Sequence, residues 1–394
     1  IFAWNERWDI KIKGEYQAVC YDTMDGKIYP VKAAIKDGNT IIHHIASLHD
    51  SLLLKLLAIE NSKKADSVNA VDNVVKEEVF KIPQNQKNLP EPFQYRLEEH
   101  NSLLLDMAQY AFDEEEWQER EELLRIDNLF REKLHYPLRM EALAQPWTEK
   151  DEQKSEHVLK LCFHIYSEVE MNEVELAMEH PETAEICWNG ETLEYIDSGF
   201  YVDESIRTCK LKKLQKGENT LFVKIPFGRK TNVEWMYLLG EFGVKTIGKY
   251  GIITNLPARL CYGDITTQNL AFYGGSLEYK SKVSTEAGIM NLEVSHYKGA
   301  LLEVFLDGEN KGSLFMAPYR KNLGKVEKGE HEITIKVYGN RSNTFGVVHN
   351  ADRTESWYGP NLWRTTGNKW SYEYQLEQMG VLATPVYWIE EGTD

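Results

Sequence analysis

The fold is decided by one pattern of hairpins and alternating strands. Its first copy reads Ile186-Cys187-Trp188-Asn189-Gly190, then Lys213-Leu214-Gln215-Lys216-Gly217-Glu218-Asn219 and Leu221-Phe222-Val223-Lys224-Ile225. Asn-Gly is a dipeptide that favours the two-residue turn of a β-hairpin, and residues 221–225 alternate apolar and polar side chains as a half-buried strand does. This stretch therefore predicts antiparallel β-structure.

The pattern occurs a second time further along the chain. The second copy reads Val304-Phe305-Leu306-Asp307-Gly308, then Lys325-Val326-Glu327-Lys328-Gly329-Glu330-His331 and Ile333-Thr334-Ile335-Lys336-Val337. Gly190 and Gly308 are 118 positions apart, and Gly217 and Gly329 are 112 apart. A period this long indicates a repeated domain rather than a solenoid unit. We expect two sandwiches with the same strand order, near residues 157–250 and 275–394.

The rest of the chain reads as short strands between turn signals, which is typical of sandwiches or barrels. In residues 1–57, the hairpin dipeptides are Asp25-Gly26 and Asp37-Gly38. One helix is predicted at about 113–135, with Asp113 as its N-cap. Its apolar residues recur at helical spacing: Trp117, Leu123, Leu124, Phe130 and Leu134. The predicted fold class is all-β, with tandem sandwiches and one linker helix.

Composition excludes several classes of protein. The 394 residues carry 45 Lys and Arg against 62 Asp and Glu, a net charge of −17 that repels nucleic-acid phosphates. No run approaches the ~20 apolar residues of a membrane helix, so neither nucleic acid nor membrane is an expected partner. The five cysteines show no zinc or disulfide spacing, and free thiols slightly favour a soluble, cytoplasmic protein. No signal peptide is visible, and a start inside a strand favours the later part of a longer polypeptide.

Motifs for catalysis, cofactors or metals are missing from the sequence. Walker, dinucleotide-binding and nucleophile-elbow motifs do not occur, and adjacent His43 and His44 face opposite sides of a strand, so neither a cofactor nor a metal is predicted. With 62 acidic residues, spacing identifies no catalytic pair. We expect a structural role for Glu234 and Glu241 at strand ends, and a loop-anchoring role for His349.

The repeated pattern resembles the galactose-binding-like jelly roll that large glycoside hydrolases carry as an accessory module. The resemblance covers most of the chain and rests on several motifs in the expected order. They are Leu214–Asn219, Trp235–Val244, Tyr262-Gly263-Asp264 with Phe272-Tyr273-Gly274-Gly275, and Asn343–His349 with Tyr358-Gly359-Pro360. The opening strands and residues 101–106 resemble the sandwich that follows the catalytic barrel in those enzymes.

This resemblance implies three modules without a catalytic residue. They are a leading β-sandwich portion at 1–97, a first galactose-binding-like jelly roll with the helix at 98–253, and a second jelly roll at 254–394. A (β/α)₈ barrel is not visible, so the catalytic domain would precede residue 1 and be the partner of this chain. The implied function is the non-catalytic C-terminal part of a glycoside hydrolase. The alternatives are a stand-alone carbohydrate-binding protein and, least favoured, an enzyme complete in these residues.

One aromatic loop is the candidate sugar contact. Indole and phenol rings stack on the C–H faces of sugars, while amide and charged groups bind hydroxyls. The candidate residues are Trp357, Tyr358, Trp363, Asp352, Arg364 and Asn361. The alternative is that the aromatic residues of this loop, Trp370 included, close the sandwich against its neighbour. Trp188 and Trp235 are predicted to be core residues.

Overall fold

The computed structural model describes residues 6–23, 26–46, 51–59, 83, 85–139, 155–317, 319–354 and 359–391. Strands in antiparallel sheets make up most of these residues, which confirms the predicted all-β fold class. Pairs of facing sheets enclose the two large cores, as a β-sandwich does.

The first six strands form two small sheets. The strands are β1 (Glu6–Lys13), β2 (Tyr16–Tyr21), β3 (Ile28–Val31), β4 (Ala33–Lys36), β5 (Asn39–Ala46) and β6 (Leu54–Ala58). The sheet orders are β1-β5-β4 and β3-β2-β6. The predicted Asp37-Gly38 hairpin joins β4 to β5, with φ of 50° and 70° at the two turn residues. Positive φ at both positions is the geometry that this dipeptide favours. Asp25 lies outside the described residues.

The next elements build the first large sandwich, except that the first two strands pair with sheets of the second. In chain order they are β7 (Lys87–Asn88), β8 (Gln94–Leu97), β9 (Asn101–Leu105), β10 (Met107–Phe112), β11 (Gln118–Glu122), helix α1 (Leu123–Lys133), β12 (His157–Ser167), β13 (Val174–Glu179), β14 (Glu185–Trp188), β15 (Glu191–Leu193), β16 (Asp197–Tyr201), β17 (Asp203–Leu211), β18 (Gly217–Phe227), β19 (Met236–Gly240), β20 (Gly243–Ile247) and β21 (Tyr250–Thr254). One sheet has the order β11-β10-β12-β18-β14-β15, to which the β20–β21 hairpin adds. The facing sheet has the order β16-β17-β13-β19-β9.

The remaining elements form the second sandwich. They are β22 (Leu277–Thr285), β23 (Gly288–Glu293), β24 (Tyr297–Lys298), β25 (Leu301–Leu306), β26 (Glu309–Leu314), β27 (Arg320–Val326), β28 (Gly329–Tyr338), helix α2 (Ser342–Phe345), β29 (Gly380–Val381) and β30 (Val386–Glu390). The two main sheets have the orders β26-β25-β28-β22-β8 and β27-β23-β30-β7.

The two sandwiches share one strand order, as the repeat predicts. The path β15-β14-β18-β12-β10 in the first corresponds to β26-β25-β28-β22-β8 in the second. On the facing sheets, β17-β13-β19-β9 corresponds to β27-β23-β30-β7. The repeat therefore describes whole sandwiches, and the first one carries β11, β16 and the β20–β21 hairpin in addition.

The repeated residues perform the same local task in both copies. Asn189 and Asp307 begin their turns with φ of 49° and 51°, and each is followed by a glycine at 83°. The Asn189 side chain accepts a hydrogen bond from Thr220 N at 2.8 Å, and the Asp307 carboxylate accepts one from Glu332 N at 2.8 Å. Each turn residue therefore ties its hairpin to the start of the following long strand.

Strands within residues 87–97 pair with the second, C-terminal sandwich. Strand β8 pairs with β22, and β7 pairs with β30, so both belong to sheets of the second sandwich. Strand β9, only four residues later, pairs with β19 of the first. The three-module division stays a prediction. It places residues 87–97 in the leading module, whereas these residues pair with strands of the second sandwich.

The helix is shorter than predicted, and its expected start is wrong. Asp113 occupies a turn with φ of 51°, where its carboxylate accepts from Val158 N at 2.8 Å and pairs with His157. Residues 118–122 pair with β10 as a strand. The cap is Glu122, whose carboxylate accepts from the Leu124 and Arg125 amides, so the helical spacing holds only from Leu123 onward. No helix in the described part of the chain is long and apolar enough to cross a membrane.

Candidate functional site

A cleft of about 520 Å³ lies between the C-terminal loop and the short helix α2. It contains Trp363, one of the predicted sugar contacts. Polar and charged groups from β24, the start of α2 and the C-terminal loop line it with Trp363: Lys298, Asn340, Arg341, Ser342, Arg353, Gln375, Glu377 and Gln378. The volume falls in the range of small-molecule sites, which is about 300–1,000 Å³.

Trp363 is held by contacts on its inner side. It lies in a 3₁₀ helix, Pro360–Arg364, and packs against the core of the first sandwich. Its Nε1 donates to the Phe345 carbonyl at 3.1 Å, which fixes the orientation of the indole. The side chain stays partly exposed and lines the cleft. An indole satisfied at its polar end and open on one side can offer a ring surface to a ligand.

The opposite wall is also fixed by hydrogen bonds. Arg341, with φ of 59°, pairs with the Glu99 carboxylate at 2.7 Å. The Asn343 side chain donates to the Glu377 carbonyl at 2.7 Å and accepts from the Glu377 amide at 2.8 Å. Phe345 packs edge-on against Tyr237, with ring centroids 5.3 Å apart. These contacts hold α2 between the two sandwiches.

The rim of the cleft mixes charges with amides. Arg353 forms an ion pair with Glu377, and Gln375 reaches Ser371 Oγ at 3.3 Å. Guanidinium, ammonium and amide groups supply hydrogen-bond donors and acceptors beside a single indole. Chemically, the arrangement can contact the apolar face of a sugar ring and bind its hydroxyls.

His349 anchors the loop, as predicted. Its Nε2 bonds Asp106 at 2.6 Å and its Nδ1 bonds the Ser371 carbonyl at 2.8 Å. The Tyr374 hydroxyl donates to the other Asp106 oxygen at 2.8 Å. Burial lowers the pKa of His349, but the hydrogen bond and charge of Asp106 outweigh burial, so the net pKa is raised. The ion pair is fully buried and joins the C-terminal loop to the end of β9.

Trp370 packs against side chains of α1 and of the C-terminal loop. The Arg125 guanidinium lies 3.7 Å from the centroid of its ring, and the His349 ring centroid lies 4.8 Å away. Trp188 and Trp235 are core residues as predicted, 2% and 8% exposed. Trp370 therefore has a packing role, and sugar contact by this loop stays a prediction.

The other predicted site residues are distributed around the loop. Asp352 accepts from Thr354 and Lys369 side chains, and these hydrogen bonds hold its pKa below the usual range. Burial raises the pKa of the Asp127 carboxyl on α1, and the charge of Arg364 is the last of several arginine charges that oppose this rise. Arg364 is not among the residues lining the cleft. Asn361 is exposed on the 3₁₀ helix. Trp357 and Tyr358 lie outside the described residues.

A second cleft of about 350 Å³ contains two carboxyl groups, from Glu179 and Glu234. Burial, followed by the negative charge of Glu179, raises the pKa of Glu234 from 4.5 to about 7. Asn232 Nδ2 donates to Glu179 Oε2 at 3.0 Å. Sequence spacing gave no sign of this pair, because Glu179 at the end of β13 and Glu234 in the loop before β19 are far apart in the chain. Among the described residues, no group of three or more His, Cys, Asp or Glu is placed to hold a metal ion.

Comparisons with known proteins leave the family open. No family model matches this chain, and neither does any curated protein. Solved structures that overlap with it include a rhamnosidase from Novosphingobium sp. PP1Y, with a TM-score of 0.24 and 19% identity over 61% of this chain and 23% of that one. A β-D-mannosidase from Dictyoglomus thermophilum gives 0.24 and 9% over 60% of this chain and 31% of that one.

Not every overlapping structure is a glycosidase. An anti-sigma factor domain-containing protein from Clostridium clariflavum gives a TM-score of 0.16 and 8% identity over 60% of this chain and 90% of that one. This chain spans less than a third of the length of the rhamnosidase and of the mannosidase. TM-scores this low carry no argument about the activity of this chain.

Proposed function

We propose that this chain is the non-catalytic, C-terminal part of a glycoside hydrolase and contacts carbohydrate through the cleft around Trp363. The observation that carries the proposal is the combination of one oriented, partly exposed indole with a rim of guanidinium, ammonium and amide groups. The ordered motifs of the repeat and the two sandwiches of shared strand order support the accessory role. A stand-alone carbohydrate-binding protein is the alternative, and it would use the same cleft.

The binding part of the proposal is tested by titration calorimetry with galacto-, manno-, gluco- and xylo-oligosaccharides. Aromatic contacts are worth about 0.5–1.5 kcal/mol beyond buried area, so Trp363→Ala should weaken binding roughly 2- to 12-fold or more. Trp363 also packs against the core, so the same change will lower the melting temperature. Affinity is therefore measured well below the midpoint of unfolding.

Two further variants separate binding from packing. Lys298→Ala removes an exposed ammonium that lines the cleft, and it should weaken binding without changing stability. Lys328→Ala, on a lysine that is 73% exposed and outside the cleft lining, is the matched control and should change neither quantity. If Trp363→Ala and Lys298→Ala both bind like the wild type, the cleft is not the sugar site.

The accessory role is tested separately by the reading frame upstream of the codon for Ile1. A barrel-sized extension supports the hydrolase part, whereas a start codon with a signal peptide supports the stand-alone protein.

A further inference from the structure

A groove of about 820 Å³, separate from the two clefts described above, lies on the outer face of the larger sheet in the first sandwich. It crosses three neighbouring strands, β12, β18 and β14. The register places Lys160 opposite Lys224, and Lys224 opposite Glu185, so these three side chains form one row across the sheet. Phe222 occupies the adjacent row, two residues along β18.

An exposed tryptophan forms one side of this groove. Trp117 lies in the connection between β10 and β11, and 47% of its surface is accessible to solvent. Its ring centroid is 5.7 Å from that of Phe222, with the planes at 60°. Two adjoining aromatic rings bordered by polar groups can be covered by the apolar face of a ligand. The sheet therefore presents two adjoining aromatic rings where the predicted helix would have buried Trp117.

The charged groups around the rings are already paired. Lys224 Nζ lies 2.8 Å from Glu185, and Lys160 Nζ lies 3.5 Å from Glu114. Asp113 accepts from Val158 N and pairs with His157. Three carboxylates and two ammonium groups nearly cancel here, on a chain whose net charge is −17. Such a groove offers hydrogen-bond donors and acceptors without a strong field of either sign.

We propose that this groove binds a neutral polysaccharide chain. Pyranose rings have apolar C–H faces that fit the Trp117 and Phe222 rings, and their hydroxyls can bond the paired lysine and glutamate groups. The charge balance favours a neutral occupant over an acidic glycan or a charged peptide. The site is independent of the cleft around Trp363, because it lies on the sheet face of one sandwich and its lining residues differ throughout.

Affinity electrophoresis of the full chain in gels containing galactan, mannan, xylan or mixed-linkage glucan tests the proposal. Retardation by at least one of these polymers is expected, and Trp117→Ala should weaken it roughly 2- to 12-fold or more. Trp8→Ala changes a tryptophan that is 42% exposed on β1, and it should leave retardation unchanged. Trp363→Ala in the same gels reports on the other cleft, so the two sites succeed or fail separately.

Three results would overturn the groove proposal. The first is retardation that is equal for Trp117→Ala and Trp8→Ala. The second is stronger retardation by polygalacturonate than by every neutral polymer, which would mean that charge rather than the ring pair governs binding. The third comes from sedimentation velocity: a wild-type dimer that Trp117→Ala converts to a monomer would make the groove a contact between two copies of the chain. Unchanged thermal melting of Trp117→Ala confirms that the variant is folded in each comparison.

Discussion

Replacing His349 by Phe should strongly destabilise the first sandwich and loosen the C-terminal loop. His349 and Asp106 are 2% and 0% exposed, and their side chains meet at 2.6 Å. Phe keeps a ring beside Trp370 but donates no hydrogen bond, so Asp106 is left buried with Tyr374 as its remaining side-chain donor. Breaking a buried ion pair by removing one partner costs about 3–5 kcal/mol. Because Tyr374 stays, we expect about 3 kcal/mol.

The stability lost in His349→Phe should decrease as the pH rises. The pKa of His349 is raised in the folded state above the ordinary 6.5, chiefly by the hydrogen bond and charge of Asp106 acting against burial. A raised histidine pKa gives stability that is fully present below 6.5 and is lost as the pH rises through the folded-state value. The difference between wild type and His349→Phe should therefore be larger at pH 6 than at pH 9.

Denaturant unfolding followed by tryptophan fluorescence measures both effects, since Trp188 and Trp235 lie in the affected core. At about 2–4 °C per kcal/mol, the melting temperature should fall by roughly 6–12 °C. His164→Phe is the control, because that histidine is 49% exposed and pairs with Glu218 at the surface, where ion pairs contribute about 0–1 kcal/mol. A His349→Phe protein within 1 kcal/mol of the control, or a loss that is equal at both pH values, would refute the reasoning.

Three further outcomes are expected. Asn219→Ala should lower the free energy of unfolding by about 2–4 kcal/mol in denaturant, because each buried group left unpaired costs about 1–3 kcal/mol. The buried Asn219 side chain accepts from Gln215 N, donates to Gln215 O and accepts from the Asn189 side chain. A smaller loss than in an exposed Asn361→Ala control would contradict this. The folded-state pKa of Glu234 is raised from 4.5 to about 7, so the wild type should lose up to about 3 kcal/mol more stability than Glu234→Gln as the pH rises through that window; parallel pH curves for the two proteins would count against it. Aryl glycosides should be hydrolysed at background rates only. Turnover that disappears in Glu234→Gln or Glu179→Gln would contradict the accessory role and indicate catalysis at the second cleft.

The turn dipeptides show how far local sequence reaches. Asn189-Gly190 and Asp307-Gly308 adopt positive φ at both positions, as these residue types favour, and the first strand of each hairpin alternates in burial. The information lies within a few neighbouring residues, because turn geometry and side-chain alternation are properties of the local backbone. Repetition of that local pattern then specified two sandwiches of the same order.

The helix shows where local information is insufficient. Acidic residues after Asp113 resemble a helix start, but the same segment can pair with β10, and the pairing extends as far as Glu122. Only then does a buried carboxylate, also bonded by Trp235 Nε1 at 2.6 Å, cap the first turn. Tertiary pairing decided between two locally acceptable structures, and it left Trp117 exposed beside Phe222.

The sequence by itself determined the all-β class, the hairpins, the repeat, the core tryptophans and the anchoring role of His349. The tertiary structure decided which groups meet: His349 with Asp106, Trp363 with Phe345, Glu234 with Glu179, and residues 87–97 with the second sandwich. The physical reason is distance along the chain. Periodicity specifies the face on which a side chain lies, whereas a contact across 243 positions, such as that of His349 with Asp106, depends on how whole sheets pack.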